Sequence, residues 1–306
     1  MKIGAFLQNL LGMASKKKTA KKPRRPSHFK TTVDCIRYQK KSVYLIARGR
    51  ALNAQLPQLT TWITIGTGFV AAPYRMLTAA HVINNAASTN LLHHHQPGDI
   101  YYLLKRDDED NWHVRFRPLV LNQELFVYPN VDLAVIYLDE AFYELNGQEL
   151  VDKDDYIRVD ANFHQIGTDV GVLGYPLSML NFNNQDLMQP QLANILLRAD
   201  SGIINSRYRT AVDVFMYEFT MAFNPGNSGG PIFDLSTGNL ISVVHGYRAL
   251  AIARKEQTLS PAEIAELNLQ TYNLTSYIDV VHANYSIGYA TPSFNNIFVQ
   301  HGIIRP

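Results

Sequence analysis

The chain has 306 residues, of which 46% are hydrophobic and 18% charged, and its formal net charge is +2. These values fit a soluble globular protein and argue against a polycation that binds nucleic acid over its whole surface. No stretch of about 18 consecutive apolar residues occurs, so no transmembrane helix is expected. Since Cys35 is the sole cysteine, no intrachain disulfide can form, and we expect a protein of a reducing, cytoplasmic compartment.

Residues 1–32 differ in composition from the rest of the chain and are predicted to form a flexible basic N-terminal tail. Apolar residues recur at helical spacing near its start, and a run of lysines and arginines follows at residues 16–25. Its possible roles are a solvated segment, a short helix that binds a partner protein or an anionic membrane surface, and a basic arm that contacts nucleic acid; of these, nucleic-acid binding is not expected.

From about residue 33 onward, short apolar runs alternate with turn signals, as is typical of antiparallel β-proteins. Such runs include Ser42–Ala47, Arg75–Thr78, Leu133–Leu138 and Val170–Tyr175. This pattern predicts an all-β fold of the barrel or sandwich class. At Ser260–Glu263 a serine, a proline and a glutamate have the spacing of a helix N-terminus, which predicts a short helical insertion near residues 260–269.

Three separate segments carry the residue types that acyl transfer to a serine requires. Ser228 lies in Gly226–Gly230, where a tight turn can expose its hydroxyl together with backbone N–H groups. His81 can act as general base and acid, because imidazole titrates near neutral pH. Asp132 can accept a hydrogen bond from the other ring nitrogen and hold the tautomer. Together these residues predict a catalytic triad.

These segments resemble those of chymotrypsin-fold, trypsin-like serine proteases, and most closely the HtrA-type and related bacterial trypsin-like peptidases. The resemblance extends over about residues 40–304. It implies two antiparallel six-stranded β-barrels with the active site in the cleft between them. We therefore expect a first barrel at residues 33–150 that carries His81 and Asp132, and a second at residues 151–306 that carries Ser228. HtrA enzymes usually carry a C-terminal PDZ domain, which we do not expect here.

The resemblance also implies how the site handles a substrate. The backbone N–H groups of Gly226 and Ser228 form the expected oxyanion hole. Ala222 stands where trypsin has an aspartate, so cleavage after lysine or arginine is not expected. A preference for an acidic or amide side chain, which His245 favours, and a preference for a small or medium apolar side chain both stay open. The residues expected to line the specificity pocket are Ala222, Phe223, Val244, His245 and Gly246.

No cofactor and no metal ion is expected, since His93–His95 and Asp107–Asp110 lack the spacing of zinc or calcium ligands. Two classes of function fit the sequence. The first is a serine endopeptidase that acts on a protein or peptide through an acyl-enzyme on Ser228. The alternative is a non-catalytic or latent scaffold with a protease fold, which docks to a partner or a membrane through its N-terminal tail.

Overall fold

The computed structural model describes residues 25–51, 60–84, 99–106, 114–119, 125–138, 144–145, 148–149, 153–176, 179–183, 186–194, 196–258 and 275–306. The helix predicted at residues 260–269 and residues 1–24 of the predicted tail lie outside these ranges, as do the histidine and acidic runs discussed as metal ligands. Within the described ranges, no helix is long and apolar enough to cross a membrane.

Strands dominate the described chain. The N-terminal half contains β1 Val43–Ala51, β2 Thr60–Ala72, β3 Arg75–Thr78, β4 Ile100–Arg106, β5 Val114–Leu119, β6 Leu125–Tyr128 and β7 Leu133–Tyr137. The rest of the chain contains β8 Glu144–Leu145, β9 Gln148–Glu149, β10 Asp169–Gly174, β11 Met179–Asn183, β12 Asp186–Asn194, β13 Arg198–Arg209, β14 Phe215–Phe219, β15 Pro231–Asp234, β16 Leu240–Thr258 and β17 Thr275–Ala290. The helices are α1 Thr32–Gln39, α2 Ala80–Ile83 and α3 Asn295–Gln300, with short 3-10 turns at Lys40–Ser42, Pro129–Val131 and Thr291–Phe294.

These strands form two large antiparallel units. The first seven strands make one sheet in the order β5-β4-β1-β2-β3-β7-β6. Six later strands close into a barrel in the order β10-β13-β14-β17-β16-β15. The pairs β8–β9 and β11–β12 stand outside both units. The predicted all-β class with two β-units is confirmed.

The N-terminal sheet differs in one respect from the six-stranded barrel expected. It has seven paired strands, because β6 forms an additional hairpin with β7 around the turn at Pro129–Val131. Its outer strands β5 and β6 share no pairing among the described residues, so closure is described for the C-terminal barrel alone. The domain boundaries expected at residues 32 and 150 stay a prediction.

Several strands are buried on both faces, which explains their unbroken apolar runs. On β1, Val43 and Leu45 point into one cluster, whereas Tyr44 and Ile46 point into another. The first of these, called the central cluster here, also receives side chains from β2, β7, β10, β15 and β16. The N-terminal sheet and the C-terminal barrel therefore pack against each other through the central cluster.

One helix, α1, was not predicted from the sequence. The Thr31 hydroxyl accepts a hydrogen bond from the Asp34 N–H at 3.1 Å and caps its first turn. Only Cys35 and Gln39 of this helix are buried. Two buried positions are too few to produce a clear apolar stripe, so the periodicity gave no sign of a helix.

Residues 25–39, called the N-terminal strap here, lie against the turn between β15 and β16. The Phe29 N–H donates to the Ser236 carbonyl oxygen at 2.7 Å. The Gln39 side-chain amide donates to the Gly238 carbonyl oxygen at 2.5 Å. The part of the strap before α1, assigned above to a flexible tail, therefore packs on the C-terminal barrel.

Candidate active site

Two neighbouring strands bring His81 and Asp132 to the same edge of the N-terminal sheet. β3 ends at Thr78 and leads into α2, whose second residue is His81. β7 begins immediately after Asp132, and Thr78 pairs with Ala134 across the two strands. The Ala80 N–H donates to the Asp132 carbonyl oxygen at 3.1 Å, which joins α2 to the turn that carries the aspartate.

The turn before Asp132 explains why an aspartate fits there. Pro129–Val131 form a single 3-10 turn, and Asp132 follows with a left-handed backbone at a φ of 48°. Aspartate tolerates this region better than most residues other than glycine. The residue is only 7% exposed, so its carboxylate depends on protein donors for its hydrogen bonds.

His81 contacts this carboxylate through both its backbone and its ring. Its N–H donates to Asp132 Oδ1 at 2.9 Å, and its Nδ1 lies 3.0 Å from Oδ1 and 2.8 Å from Oδ2. An ionised carboxylate can only accept, so Nδ1 carries the proton and Nε2 is left as an acceptor. This is the tautomer that a general base for a hydroxyl group requires.

A second histidine shares the same carboxylate. His245 lies on β16, and its Nδ1 is 2.5 Å from Asp132 Oδ2. The rings of His81 and His245 meet edge to face, with their centroids 5.7 Å apart. The sequence predicted His245 in the specificity pocket; its bond to Asp132 is a further contact that no local pattern indicates.

The surroundings of Asp132 stabilise its negative charge. Burial opposes ionisation and on its own raises the pKa of the carboxyl. The hydrogen bonds from His245 and His81 outweigh burial and bring the pKa of Asp132 down to about 2. Asp132 is therefore a carboxylate at every pH near neutrality.

The donor atoms of His81, Asp132 and His245 lie within 4.8 Å of one another, a separation compatible with a metal ion. In each histidine, however, Nδ1 already forms a hydrogen bond with the carboxylate. The three side chains therefore satisfy one another, and their arrangement is explained without an ion.

Ser228 lies half-buried on the loop at residues 224–230, called the serine loop here, which leads into β15. Gly226 and Gly229 have φ angles of 99° and 79°, in the left-handed region that side chains disfavour. These two glycines let the chain reverse on either side of the serine.

The serine loop is bonded to β2 of the N-terminal sheet. The Thr67 N–H donates to the Ser228 carbonyl oxygen at 2.9 Å, and the Thr67 hydroxyl donates to the Gly226 carbonyl oxygen at 2.7 Å. A methyl group on Gly66 would meet Val82 of α2 at 2.6 Å and the Ser228 carbonyl oxygen at 2.9 Å. The serine loop and α2 therefore approach each other across β2.

Among the described residues, no hydrogen bond joins the Ser228 hydroxyl to His81. The structure thus joins His81 to Asp132 and brings the serine loop beside α2, but it leaves the contact between serine and histidine unmade. Catalytic hydrogen bonds are often long in the absence of substrate. The N–H groups of Gly226 and Ser228 donate no hydrogen bond within the described part of the chain, and their role as an oxyanion hole stays a prediction.

The predicted pocket residues lie on two segments that flank the site. Ala222 is exposed and Phe223 is buried, just before the serine loop. Val244 is buried on β16, and the next two residues, His245 and Gly246, are half-buried. Their contacts with a substrate stay a prediction.

Sequence reasoning missed the roles of two buried threonines. The Thr78 hydroxyl donates to the Thr67 carbonyl oxygen at 2.7 Å, and the Tyr175 N–H donates to the Thr67 hydroxyl at 3.0 Å. Both threonines are fully buried. Hydroxyl groups in otherwise apolar strands were the available signal, because a buried hydroxyl needs a partner.

A known protein family matches more than half of this chain. The sequence family of the trypsin-like peptidase domain matches residues 66–243, a range that contains His81, Asp132 and Ser228. No match was found among curated proteins.

Solved structures of proteases are similar to this chain to different degrees. The HtrA-type protease AlgW, solved with a decapeptide, is 15% identical, with 89% of this chain and 67% of that chain covered and a TM-score of 0.50. A serine endoprotease from Yersinia pestis is 18% identical over 90% of this chain and 67% of that chain, with a TM-score of 0.47. The active form of the Rv3671c protease from M. tuberculosis is 22% identical, with 81% of this chain and 89% of that chain covered and a TM-score of 0.45.

The likeness to AlgW agrees with the predicted chymotrypsin-type fold, and at this identity it concerns the fold alone. The domain match carries the assignment of the family, because it extends over more than half of the 306 residues. The protein belongs to the trypsin-like peptidase family.

Proposed function

We propose that this protein is a serine endopeptidase that cleaves peptide bonds through an acyl-enzyme formed on Ser228. The observation that carries the proposal is the fixed pair of His81 and Asp132 beside the serine loop. The pair leaves His81 Nε2 as an acceptor, and the serine loop is hydrogen-bonded to β2 next to α2. A nucleophilic serine needs such a base within reach.

In the proposed acylation step, Ser228 Oγ attacks the carbonyl carbon of the peptide bond while His81 Nε2 takes the hydroxyl proton. Asp132 stabilises the resulting imidazolium. His81 then gives the proton to the amine as the carbon–nitrogen bond breaks, which leaves an ester on Ser228. A water molecule, deprotonated by His81, attacks this ester, and the acid product departs as Ser228 regains its proton.

The negative charge that develops on the carbonyl oxygen needs donors that are already oriented. The free N–H groups of Gly226 and Ser228 are proposed for this role. The loss of one such donor typically costs about 2.7–4 kcal/mol of transition-state stabilisation. The hydrogen bond from Thr67 to the Gly226 carbonyl oxygen supports the role, because it fixes the peptide plane next to one of these donors.

Proteins or peptides are the substrates that this family implies. β16 pairs with β15 up to Val243, and Val244 exchanges two hydrogen bonds with the serine loop. Beyond Val244, β17 pairs with β16 on one side. An extended substrate can add to the remaining side by main-chain hydrogen bonds. The side chain before the scissile bond would meet Ala222, Phe223, Val244, His245 and Gly246, and both preferences given above stay open.

We further propose that the N-terminal tail directs the peptidase, within the cytoplasm, to a partner protein or an anionic membrane surface. The basic run at residues 16–25 supports this proposal. A chain that lacks residues 1–24 keeps the described strap contacts and is expected to hydrolyse peptides at the rate of the full chain. A collapse of hydrolysis in this chain would instead assign the tail to the catalytic unit.

The experiment that tests the proposal is labelling with a fluorophosphonate, which reacts with activated serines. Wild-type protein and the Ser228→Ala variant are compared, and the modified peptide is identified by mass spectrometry. Labelling at Ser228 in the wild type alone supports the endopeptidase. The absence of labelling from both proteins, with both folded, would favour the latent scaffold, which the unmade contact between Ser228 and His81 also suits.

A further inference from the structure

We propose that His245 is a positioning residue of the active site, which holds the Asp132 carboxylate through Nδ1–H and limits how strongly that carboxylate supports a protonated His81. The inference rests on the proposed endopeptidase function and deepens it. It gives His245 a role in the reaction itself, in place of contact with the substrate alone.

Two histidine rings share the Asp132 carboxylate. Asp132 Oδ2 lies 2.8 Å from His81 Nδ1 and 2.5 Å from His245 Nδ1. Because the carboxylate has no proton to give, both rings must donate to it. Two donors that approach one oxygen fix its position more tightly than one donor, and each withdraws part of the charge available to the other.

His245 lies on β16 directly after a residue that contacts the serine loop. Its neighbour Val244 accepts a hydrogen bond from the Gly229 N–H and donates one to the Gly230 carbonyl oxygen, both at 2.9 Å. Residues 244 and 245 of one strand therefore contact the serine loop and the aspartate respectively. A shift of β16 would move both parts of the proposed catalytic machinery together.

The electrostatic surroundings of His245 support the same role. Among the described residues, the titratable side chains that face His245 are His81 from α2, Asp132 from the turn before β7 and Tyr289 from β17. Burial and the charge of Asp132 raise the pKa of Tyr289 to about 12, so this phenol stays neutral. Asp132 is thus the anion that both imidazoles share.

Two substitutions separate the functions of this ring. In His245→Asn, the side-chain amide nitrogen takes the place of Nδ1 and still donates, although it does not titrate. In His245→Phe, a ring of similar size remains against Tyr289 but no donor is left. If His245 acts by donation to Asp132, the asparagine variant should resemble the wild type and the phenylalanine variant should differ from both.

The measurement is peptide hydrolysis as a function of pH, with kcat and KM determined separately. In His245→Phe, Asp132 accepts a hydrogen bond from the ring of His81 alone. Its negative charge should then stabilise protonated His81 more strongly. The acid limb of the kcat/KM profile should therefore move to higher pH by about 0.5 to 1 unit, the size expected for one hydrogen bond. We also expect kcat to fall about tenfold with little change in KM, because positioning affects the reaction step.

Three outcomes would overturn the proposal while wild-type activity is intact. The acid limb of His245→Phe could coincide with that of the wild type, or His245→Asn could shift as far as His245→Phe. The third outcome is a higher KM with unchanged kcat, seen only for substrates with one kind of side chain before the scissile bond. This result would mean that His245 contacts the substrate in the specificity pocket and does not act through Asp132. A wild type without Ser228-dependent hydrolysis would instead contradict the proposed function.

A second readout does not depend on activity. In the Ser228→Ala protein, proton NMR should resolve two strongly deshielded Nδ1–H signals, one for each ring that donates to Asp132. His245→Phe in this background should remove one signal and shift the other. A single signal that His245→Phe leaves unmoved would mean that His245 does not donate to Asp132.

Discussion

At Asp132, two opposing effects meet on a single side chain. Burial makes its negative charge expensive, whereas His81 and His245 donate to the carboxylate and compensate for the lost water. The donors prevail, since the net effect lowers the pKa of Asp132 to about 2. A carboxylate that is more acidic in the folded chain than in the unfolded chain must also stabilise the fold.

The acid sensitivity of the wild type should therefore depend in part on Asp132. The ordinary pKa of the carboxyl is 3.8, so its stabilisation is complete above about pH 4 and is lost as pH falls towards about 2. The contribution is about 2 kcal/mol at neutral pH. Denaturant unfolding of wild type and Asp132→Asn across this pH range should give a difference in unfolding free energy that shrinks as pH falls. A constant difference would contradict the assignment.

Gly229 can be tested against a matched glycine. Its φ is 79°, and a methyl group there would collide with the Thr78 hydroxyl and the Thr67 carbonyl oxygen. Gly167 has a φ of 89° but has open space around the position of a methyl group. Gly167→Ala should cost only the backbone strain, about 1–2 kcal/mol. Gly229→Ala should cost several kcal/mol more in urea unfolding and should abolish labelling of Ser228; equal costs would show that the loop has room.

At the scale of elements, β2 joins the N-terminal sheet to the serine loop. The Thr67 hydroxyl donates to Gly226 and accepts from Tyr175, whereas its N–H donates to Ser228. Thr67→Val keeps the shape and removes both side-chain hydrogen bonds. We expect a loss of about 1–3 kcal/mol for each buried partner left unpaired, together with slower fluorophosphonate labelling.

Thr67→Ser is the matched control, because it keeps the hydroxyl and loses one methyl group. It should retain most of the labelling rate of the wild type. If Thr67→Val labels Ser228 as fast as Thr67→Ser does, the hydrogen bond to Gly226 has no part in shaping the loop. The two variants therefore separate the hydroxyl from the packing of this side chain.

The strap makes a prediction of its own through Cys35. The thiol is fully buried against the Asp234 carbonyl oxygen, and burial raises its pKa to about 12. It should react with a disulfide reagent only when α1 detaches. Gln39→Ala removes the bond to Gly238 and should speed this reaction about tenfold. Arg37 is exposed on the same helix, and Arg37→Ala should leave the rate unchanged. Equal acceleration by both variants would mean that the hydrogen bond from Gln39 to Gly238 does not hold α1 in place.

At this scale, the features that the sequence predicts correctly are those with a local pattern. Strands that are buried on both faces have unbroken apolar runs between turns, so the all-β class could be predicted. His81 and Asp132 each lie in a distinctive local segment, and the structure joins them across 51 residues. The bond between His245 and Asp132 spans 113 residues and has no local pattern, so it could not be predicted. α1 stayed hidden because it buries so few side chains.

At the scale of the whole molecule, the segments that flank the two units each contact the unit farther from them along the chain. The strap contacts the C-terminal barrel before the chain enters the N-terminal sheet. After β17, the chain returns through Phe294 and Phe298 of the central cluster to His301, which contacts β6 and β7. The segment that precedes the N-terminal sheet thus contacts the C-terminal barrel, and the segment that follows the barrel contacts the N-terminal sheet.

His301 makes the C-terminal contact sensitive to pH. Its Nε2 lies 2.6 Å from the Tyr128 hydroxyl, and its Nδ1 lies 2.8 Å from the Tyr137 hydroxyl. A neutral imidazole can accept from one hydroxyl and donate to the other. Burial and the nearby charge of Arg75 lower the pKa of His301 below its ordinary 6.5, so the folded chain favours the neutral ring. The stabilisation is complete above about pH 6.5 and is lost as pH falls through the lower folded value.

The unfolding free energy of the wild type should therefore decline as pH falls below about 6.5, and His301→Gln should make the decline smaller. His28→Gln is the control, since His28 is exposed in the strap. This variant should follow the wild type. Because Tyr128 immediately precedes the turn that carries Asp132, loosening of the C-terminal contact should also slow fluorophosphonate labelling of Ser228 in His301→Gln. A pH dependence that is identical in all three proteins would mean that His301 does not titrate with folding.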